Sequence, residues 1–165
     1  MRASPINAQR ALMKTKSPAL MGGFVELLEQ TQQWKKLEDY IEVNGSDMYP
    51  HDLVHAQRVV ASQHFTAKNW ERAARFSLKA ADTDLMQRGT PEGKRWCPSL
   101  AAPENIRNAA AAFYNSRNQV GMLEARISLL ALSAESRCAK PEDQIDIRKQ
   151  IDAIEKMMRD FSFLR

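Results

Sequence analysis

Residues 53–82 read LVHAQRVVASQHFTAKNWERAARFSLKAAD, and this stretch decides the fold. Its apolar residues recur at helical spacing on both sides of Lys68-Asn69, so it reads as two antiparallel helices joined by a tight turn. Alanines stand where the helices must touch: Ala61 on the first, Ala73 and Ala80 on the second. A small side chain at a crossing lets two helix axes approach to about 8–10 Å, the distance at which side-chain ridges interlock. Trp70 follows the turn and is placed to fill the wedge where the helices part.

The same grammar returns on either side. Ser17-Pro18 suits a helix start, since serine caps free amides and proline fits the first turn. A first hairpin is expected over 18–44, with Trp34 opening its second helix and Asn44-Gly45 ending it. The hairpin quoted above extends over about 50–84, and a third over 103–137, turning near Arg117-Asn118. In it, Arg126-Ile127-Ser128-Leu129-Leu130-Ala131 repeats four of the six residues of Arg75-Phe76-Ser77-Leu78-Lys79-Ala80 at an offset of 51. Trp34 and Trp70 lie 36 residues apart, close to the period of two-helix repeats. Residues 86–102 have no helical period and are expected to form an irregular loop, of a length usually functional or disordered. A terminal helix over about 141–161 carries Ile147, Ile151, Ile154, Met158 and Phe161 in one narrow apolar seam. That seam either caps the last hairpin or pairs with another chain.

Composition agrees with one all-α domain. At 165 residues, 44% hydrophobic and 27% charged, the chain sits near globular averages and away from disorder. Strict apolar–polar alternation is absent, so strands have no support. The net charge of +4 is spread without a basic block. Arg72, Arg75 and Lys79 alone share a helix face; they read as a solvated surface or as a site for an acidic partner or nucleic acid. No recognition-helix, zinc-finger or aromatic single-strand motif accompanies them.

These hairpins resemble the tetratricopeptide repeat. The family pattern is best met in the second hairpin, by Val60-Ala61, Trp70, Ala73 and Lys79-Ala80. The first keeps Trp34, Leu37 and Ile41; the third keeps Ala112, Tyr114 and Ala131 but has Glu124 where the family favours alanine. No repeat ends in the family's proline, and the insertion before the third hairpin breaks the period. The likeness covers roughly two thirds of the chain. It implies a right-handed superhelix whose concave groove, lined by the first helix of each pair, binds an extended peptide or a partner helix.

On that geometry the groove residues are His55, Arg58, Ser62 and Phe65 from the second hairpin and Phe113, Ser116 and Arg117 from the third. The arginines would take carboxylates in bidentate pairs, and the phenylalanines would anchor apolar side chains. The expected function is a non-enzymatic interaction module, an adaptor or chaperone for a protein or peptide. The alternatives are a subunit of a larger assembly docking through the terminal helix and, more weakly, nucleic-acid binding through Arg72, Arg75 and Lys79.

Little else carries chemistry. His51 and His55 are four apart and able to share a metal, but zinc wants three or four ligands and no HExxH motif is present. Neither a metal nor a cofactor is expected. No phosphate loop, GxSxG motif or cysteine–histidine pairing motif appears. Cys97 precedes the third hairpin and Cys138 follows it, so both fall at one pole, where a disulfide would clasp the hairpin. That bond would imply a periplasmic or secreted protein. With reduced thiols, no secretory signal and no apolar run of about 18 residues, the expectation is cytoplasmic.

Overall fold

Among the described residues, three other than glycine hold positive φ angles: Gln32 at 54°, Lys68 at 57° and Arg117 at 58°. Each lies in a short turn with the same hydrogen bonds. The following amide donates five residues back, Gln33 to Leu28, Asn69 to His64 and Asn118 to Phe113, at 2.9, 2.8 and 2.8 Å. The left-handed residue's own amide donates three residues back, to Glu29, Phe65 and Tyr114. A left-handed conformation costs an L-residue on the order of 1 kcal/mol. The bonds offset it by satisfying carbonyls that a helix end leaves free.

The computed structural model describes residues 17–86, 101–135 and 141–162. The three turns join α1 (Pro18–Gln30) to α2 (Trp34–Asn44), α3 (Pro50–Thr66) to α4 (Trp70–Met86), and α5 (Ala101–Asn115) to α6 (Gln119–Glu135). A 3-10 turn at Gly45–Asp47 leads into α3, and α7 (Pro141–Ser162) closes the fold. Among the described residues there is no strand, and the fold is all-α, with consecutive helices packed on one another. No described helix is long and apolar enough to cross a membrane. The expected irregular segment 86–102 is helical at both edges, since α4 runs to Met86 and α5 starts at Ala101. Residues 87–100, Cys97 among them, and Cys138 lie outside the described residues.

Two bulky cores flank a thin layer of alanines. The first gathers Met21, Phe24, Val25 and Leu28 of α1, Leu37, Tyr40 and Ile41 of α2, Ala56, Val60 and Ala61 of α3, and Phe76 of α4. The second gathers Ile106 and Ala110 of α5, Ala125, Leu129 and Leu132 of α6, and Ile147, Ile151 and Ile154 of α7, with Ala81 reaching in from α4. Between them Ala73 and Ala74 of α4 meet Ala109 and Ala112 of α5, edged by Trp70, Leu78 and Phe113. Ala73 therefore packs toward the next hairpin as well as marking its own. The seam of α7 is spent within the chain. Its isoleucines are buried, Met158 packs at the core's edge, and Phe161 meets the Tyr114 ring edge-on at 6.2 Å.

Charged contacts hold the first hairpin to the second. Glu38, 7% exposed, takes Arg72 at 2.9 Å and His64 at 3.2 Å. Glu42 takes Arg75 at 2.7 Å and Lys79 at 2.6 Å, and His55 meets Glu29 of α1 at 2.9 Å. The basic row of α4, still partly exposed, faces the acids of α2. The Lys79 hydrogen bond, with the charges of Lys79, Arg75 and Arg72 behind it, holds the Glu42 carboxyl below its ordinary range. On α6, Arg126 grips Glu155 of α7 with Nε at 3.0 Å and Nη2 at 2.7 Å. That bond likewise holds the Glu155 carboxyl below its ordinary range.

The four-residue match between α4 and α6 conceals different surroundings. Phe76, Ser77 and Ala80 are buried, whereas Ile127 is 54% exposed and Ser128 and Ala131 face solvent. Helix α4 lies between α3 and α5 and sends Phe76 into the first core, whereas α6 packs mainly on α5 and α7. Its outer face carries Val120, Leu123, Ile127 and Leu130 in an exposed apolar row.

Two experiments test this packing. A Cβ built on Gly121 would stand 2.5 Å from the Phe113 ring, while one on Gly23 meets nothing within 4 Å. Gly121→Ala should therefore cost about 1–3 kcal/mol in urea denaturation, and Gly23→Ala should gain about 0.5–1 kcal/mol by removing helix entropy cost. Glu42 has its pKa depressed in the folded state, so its contribution is present above its unfolded pKa and lost as pH falls through the folded one. The carboxylate is a third exposed, so screening keeps the contribution small. Glu42→Gln should lower stability by about 0.2–1 kcal/mol at neutral pH. Its difference from wild type should close as pH falls through the depressed folded pKa.

Candidate functional site

Helix α3 turns one polar stripe away from its cores. His55, Arg58, Ser62, Phe65 and Thr66 recur at three- and four-residue steps, with Val59 and Ala61 beside them. Across from them stand Arg107, Asn108 and Ala111 of α5, and both helices rest on α4, which contributes Ser77. Because α3 and α5 each pack tightly on α4 and are not close neighbours of each other, a groove of about 690 Å³ opens between them. One direct bond crosses the rim, from Arg58 Nη2 to Glu104 Oε2 at 3.3 Å.

Four of the expected groove residues, His55, Arg58, Ser62 and Phe65, line this cleft together. Phe65 also meets the indole of Trp70 edge-on, with ring centroids 5.0 Å apart, so its ring is braced at the hairpin's tip. The other three do not line it. Phe113 packs onto Gly121 and the alanine layer. Ser116 Oγ donates to the Phe113 carbonyl at 3.1 Å, and Arg117 occupies the left-handed turn position. The correction has a simple cause. Helix α5 is packed on α4, α6 and α7 at once, which leaves free only the stripe through Glu104, Arg107, Asn108 and Ala111. Reading ENIRNAAAAFYN, the run Ala109–Ala112 fits either face of a helix and hides that stripe. The polar Glu104, Arg107 and Asn108, three or four apart, are the signal that remains.

The lining contains two arginines and a histidine and no aspartate or glutamate. In the unliganded chain these cations have local partners. Arg58 leans on Glu104, Arg107 Nη2 donates to Asn108 Oδ1 at 2.6 Å, and His55 holds Glu29. Arg107 also lines a second recess of about 430 Å³ with Pro103, Glu104, Asp146, Lys149 and Gln150. The concave side therefore continues from α3 across α5 to α7.

At the floor sits Asn105, 1% exposed, whose Nδ2 has no hydrogen-bond partner. A buried donor left unpaired costs about 1–3 kcal/mol, and such groups are few in folded proteins. Among the described residues the only other buried orphan is Tyr40 Oη. Tyr40 lies in the first core against Phe24, at a centroid distance of 4.7 Å, and its burial pushes the hydroxyl pKa up. Tyr40 lines neither the groove nor the second recess. Asn105 alone combines an unmet donor with a cleft.

The histidines do not assemble a metal site. His55 turns to Glu29 and His51 to Asp52 at 3.2 Å, and among the described residues no group of three ligating side chains converges. Comparison with protein-family models, curated proteins and solved structures finds no match to this chain.

If Nδ2 of Asn105 is unpaired, removing the amide relieves the fold. Asn105→Leu should raise the melting temperature, with a gain on the order of 1 kcal/mol. A fall instead would mean that the amide is bonded in solution.

Proposed function

We propose that this chain is a non-enzymatic interaction module, a tetratricopeptide-like adaptor or chaperone that receives a peptide or a partner helix between α3 and α5. The groove carries the reading. It is concave, large enough for several side chains, and furnished with an aromatic anchor and two arginines, the residue types that dominate binding energy at protein contacts. Phe65 is braced by Trp70, so ordering it on binding costs little. The work is taken to be cytoplasmic; oxidised Cys97 and Cys138 would move it to the periplasm or outside the cell.

A second reading, a subunit of a larger assembly, is favoured by a different surface from the one the sequence suggested. The seam of α7 is buried inside the chain, but the apolar row Val120, Leu123, Ile127 and Leu130 on α6 is exposed. Rows of this kind on soluble proteins commonly mark contacts. Nucleic-acid binding through Arg72, Arg75 and Lys79 would require breaking their pairs with Glu38 and Glu42.

Affinity capture from native lysate, with quantitative mass spectrometry, separates the readings. A partner held by the wild type should be lost by at least ten-fold from Arg58→Ala/Phe65→Ala, with helicity unchanged by circular dichroism. Retention by that variant and loss from Leu123→Glu/Ile127→Glu would instead assign the contact to α6.

A further inference from the structure

We propose that the floor of the α3–α5 groove is a subsite for one acidic side chain, the aspartate or glutamate of a peptide that runs across the concave face. This deepens the groove-binding reading and rests on it.

Three observations converge on that chemistry. The first is Asn105, whose Nδ2 is a buried donor without an acceptor at the base of the cleft. The terminal torsion of an asparagine is soft, so its amide can turn toward an incoming oxygen. The second is charge. Arg58, Arg107 and His55 line the groove and no aspartate or glutamate does, so the lining carries positive charge without a carboxylate of its own. A ligand's carboxylate supplies that charge and an acceptor for Asn105 Nδ2, and the flanking guanidinium groups offset the cost of taking it out of water. The third is that Arg58 already leans on Glu104 at 3.3 Å, with both side chains nearly half exposed. So loose a pair is easily exchanged for a ligand's carboxylate.

The carboxylate belongs to a side chain and not to a chain terminus. Asn105 is only 1% exposed, so an acceptor carried on a side-chain stem reaches it more readily than a backbone resting on the rim. The concave side also continues past α5, through Arg107, into the recess lined by Asp146 and Lys149 of α7. A chain seated over the floor can run on in that direction, and nothing in the lining requires it to end.

Phage selection on the full-length chain tests this with two random dodecamer libraries, one fused at both ends and one with a free C-terminus. Binders from the first library should share an Asp or Glu at one position. Synthetic copies with that residue changed to Gln should bind roughly 10-fold to 100-fold more weakly. The ratio should persist at ~0.5 M salt, because a buried pair is poorly screened. On Asn105→Leu the Glu and Gln copies should bind alike. On Tyr40→Phe, which removes the other buried orphan away from the groove, the preference should stand. Peptides that need Arg58 and Phe65 but show no acidic preference would overturn the subsite and leave the groove reading intact. So would a preference unchanged by Asn105→Leu. Acidic preference confined to the free-C-terminus library would overturn the side-chain assignment. No binders, or binders indifferent to Arg58→Ala/Phe65→Ala, would overturn the subsite together with the groove reading.

Discussion

Everything on the concave side depends on the layer where Ala73 and Ala74 of α4 meet Ala109 and Ala112 of α5. Alanine brings helix backbones close while adding almost no bulk of its own, so this layer contributes position more than apolar area. Bulky side chains there would lift α5 from α4 and raise the floor on which Ser77 and Asn105 sit. Stability comes instead from the cores on either side, each filled with large residues. The arrangement divides the labour: two thick cores supply the free energy, and one thin joint sets the geometry between them.

A second constraint fixes the first hairpin. Three acids of α1 and α2 meet two histidines, two arginines and a lysine of α3 and α4. Most of these contacts are half exposed and individually weak. Glu38 differs because it is buried; leaving it without Arg72 and His64 would strand a charge in the interior, which is far costlier than the pair is favourable. Its effect is therefore one of register. The hairpin docks where Glu38 finds its cations, and His64, stacked on Phe76, ties that choice to the first core. The same contacts occupy the basic row of α4, so the surface that looked most available for an anion in the sequence is internally matched.

The helices, the three turns and half of the groove were legible in the sequence, for identifiable reasons. Lys68-Asn69 marks a reversal because the apolar period breaks there, and Trp34 and Trp70 both open the helix after a turn. That the turns hold Gln32, Lys68 and Arg117 in a left-handed conformation was not legible, since none is glycine. The α3 stripe from His55 to Phe65 stands out because its polar residues interrupt apolar ones at helical spacing. The α5 stripe does not, because four consecutive alanines erase the contrast between faces. The packing of Phe113 depends on Gly121, eight residues later in a different helix, and no local pattern reports that pairing. Asn105 was missed for a related reason. It reads as an ordinary polar residue near a helix start, and only the packing of α5 on α4 puts it underground.

The repeated Arg-x-Ser-Leu-x-Ala of α4 and α6 shows what such a pattern encodes. In α4 its Ser and Ala are enclosed; in α6 the same residues face water, and only Leu129 is buried. The hexapeptide specifies a helix able to accept close neighbours, whereas how far those neighbours enclose it is set by where the rest of the chain goes. Helix α4 stands between two hairpins and so becomes a floor. Helix α6 stands at an edge, and its capacity for close packing remains unfilled. The contrast explains why the groove forms over α4. A cleft of this kind needs a second helix held from both sides, so that two first helices can lean on it without packing on each other, and α4 alone among the described helices is held that way. The orphan amide of Asn105 fits this account, since a polar group is tolerated without a partner where the surrounding packing is strong enough to carry its cost.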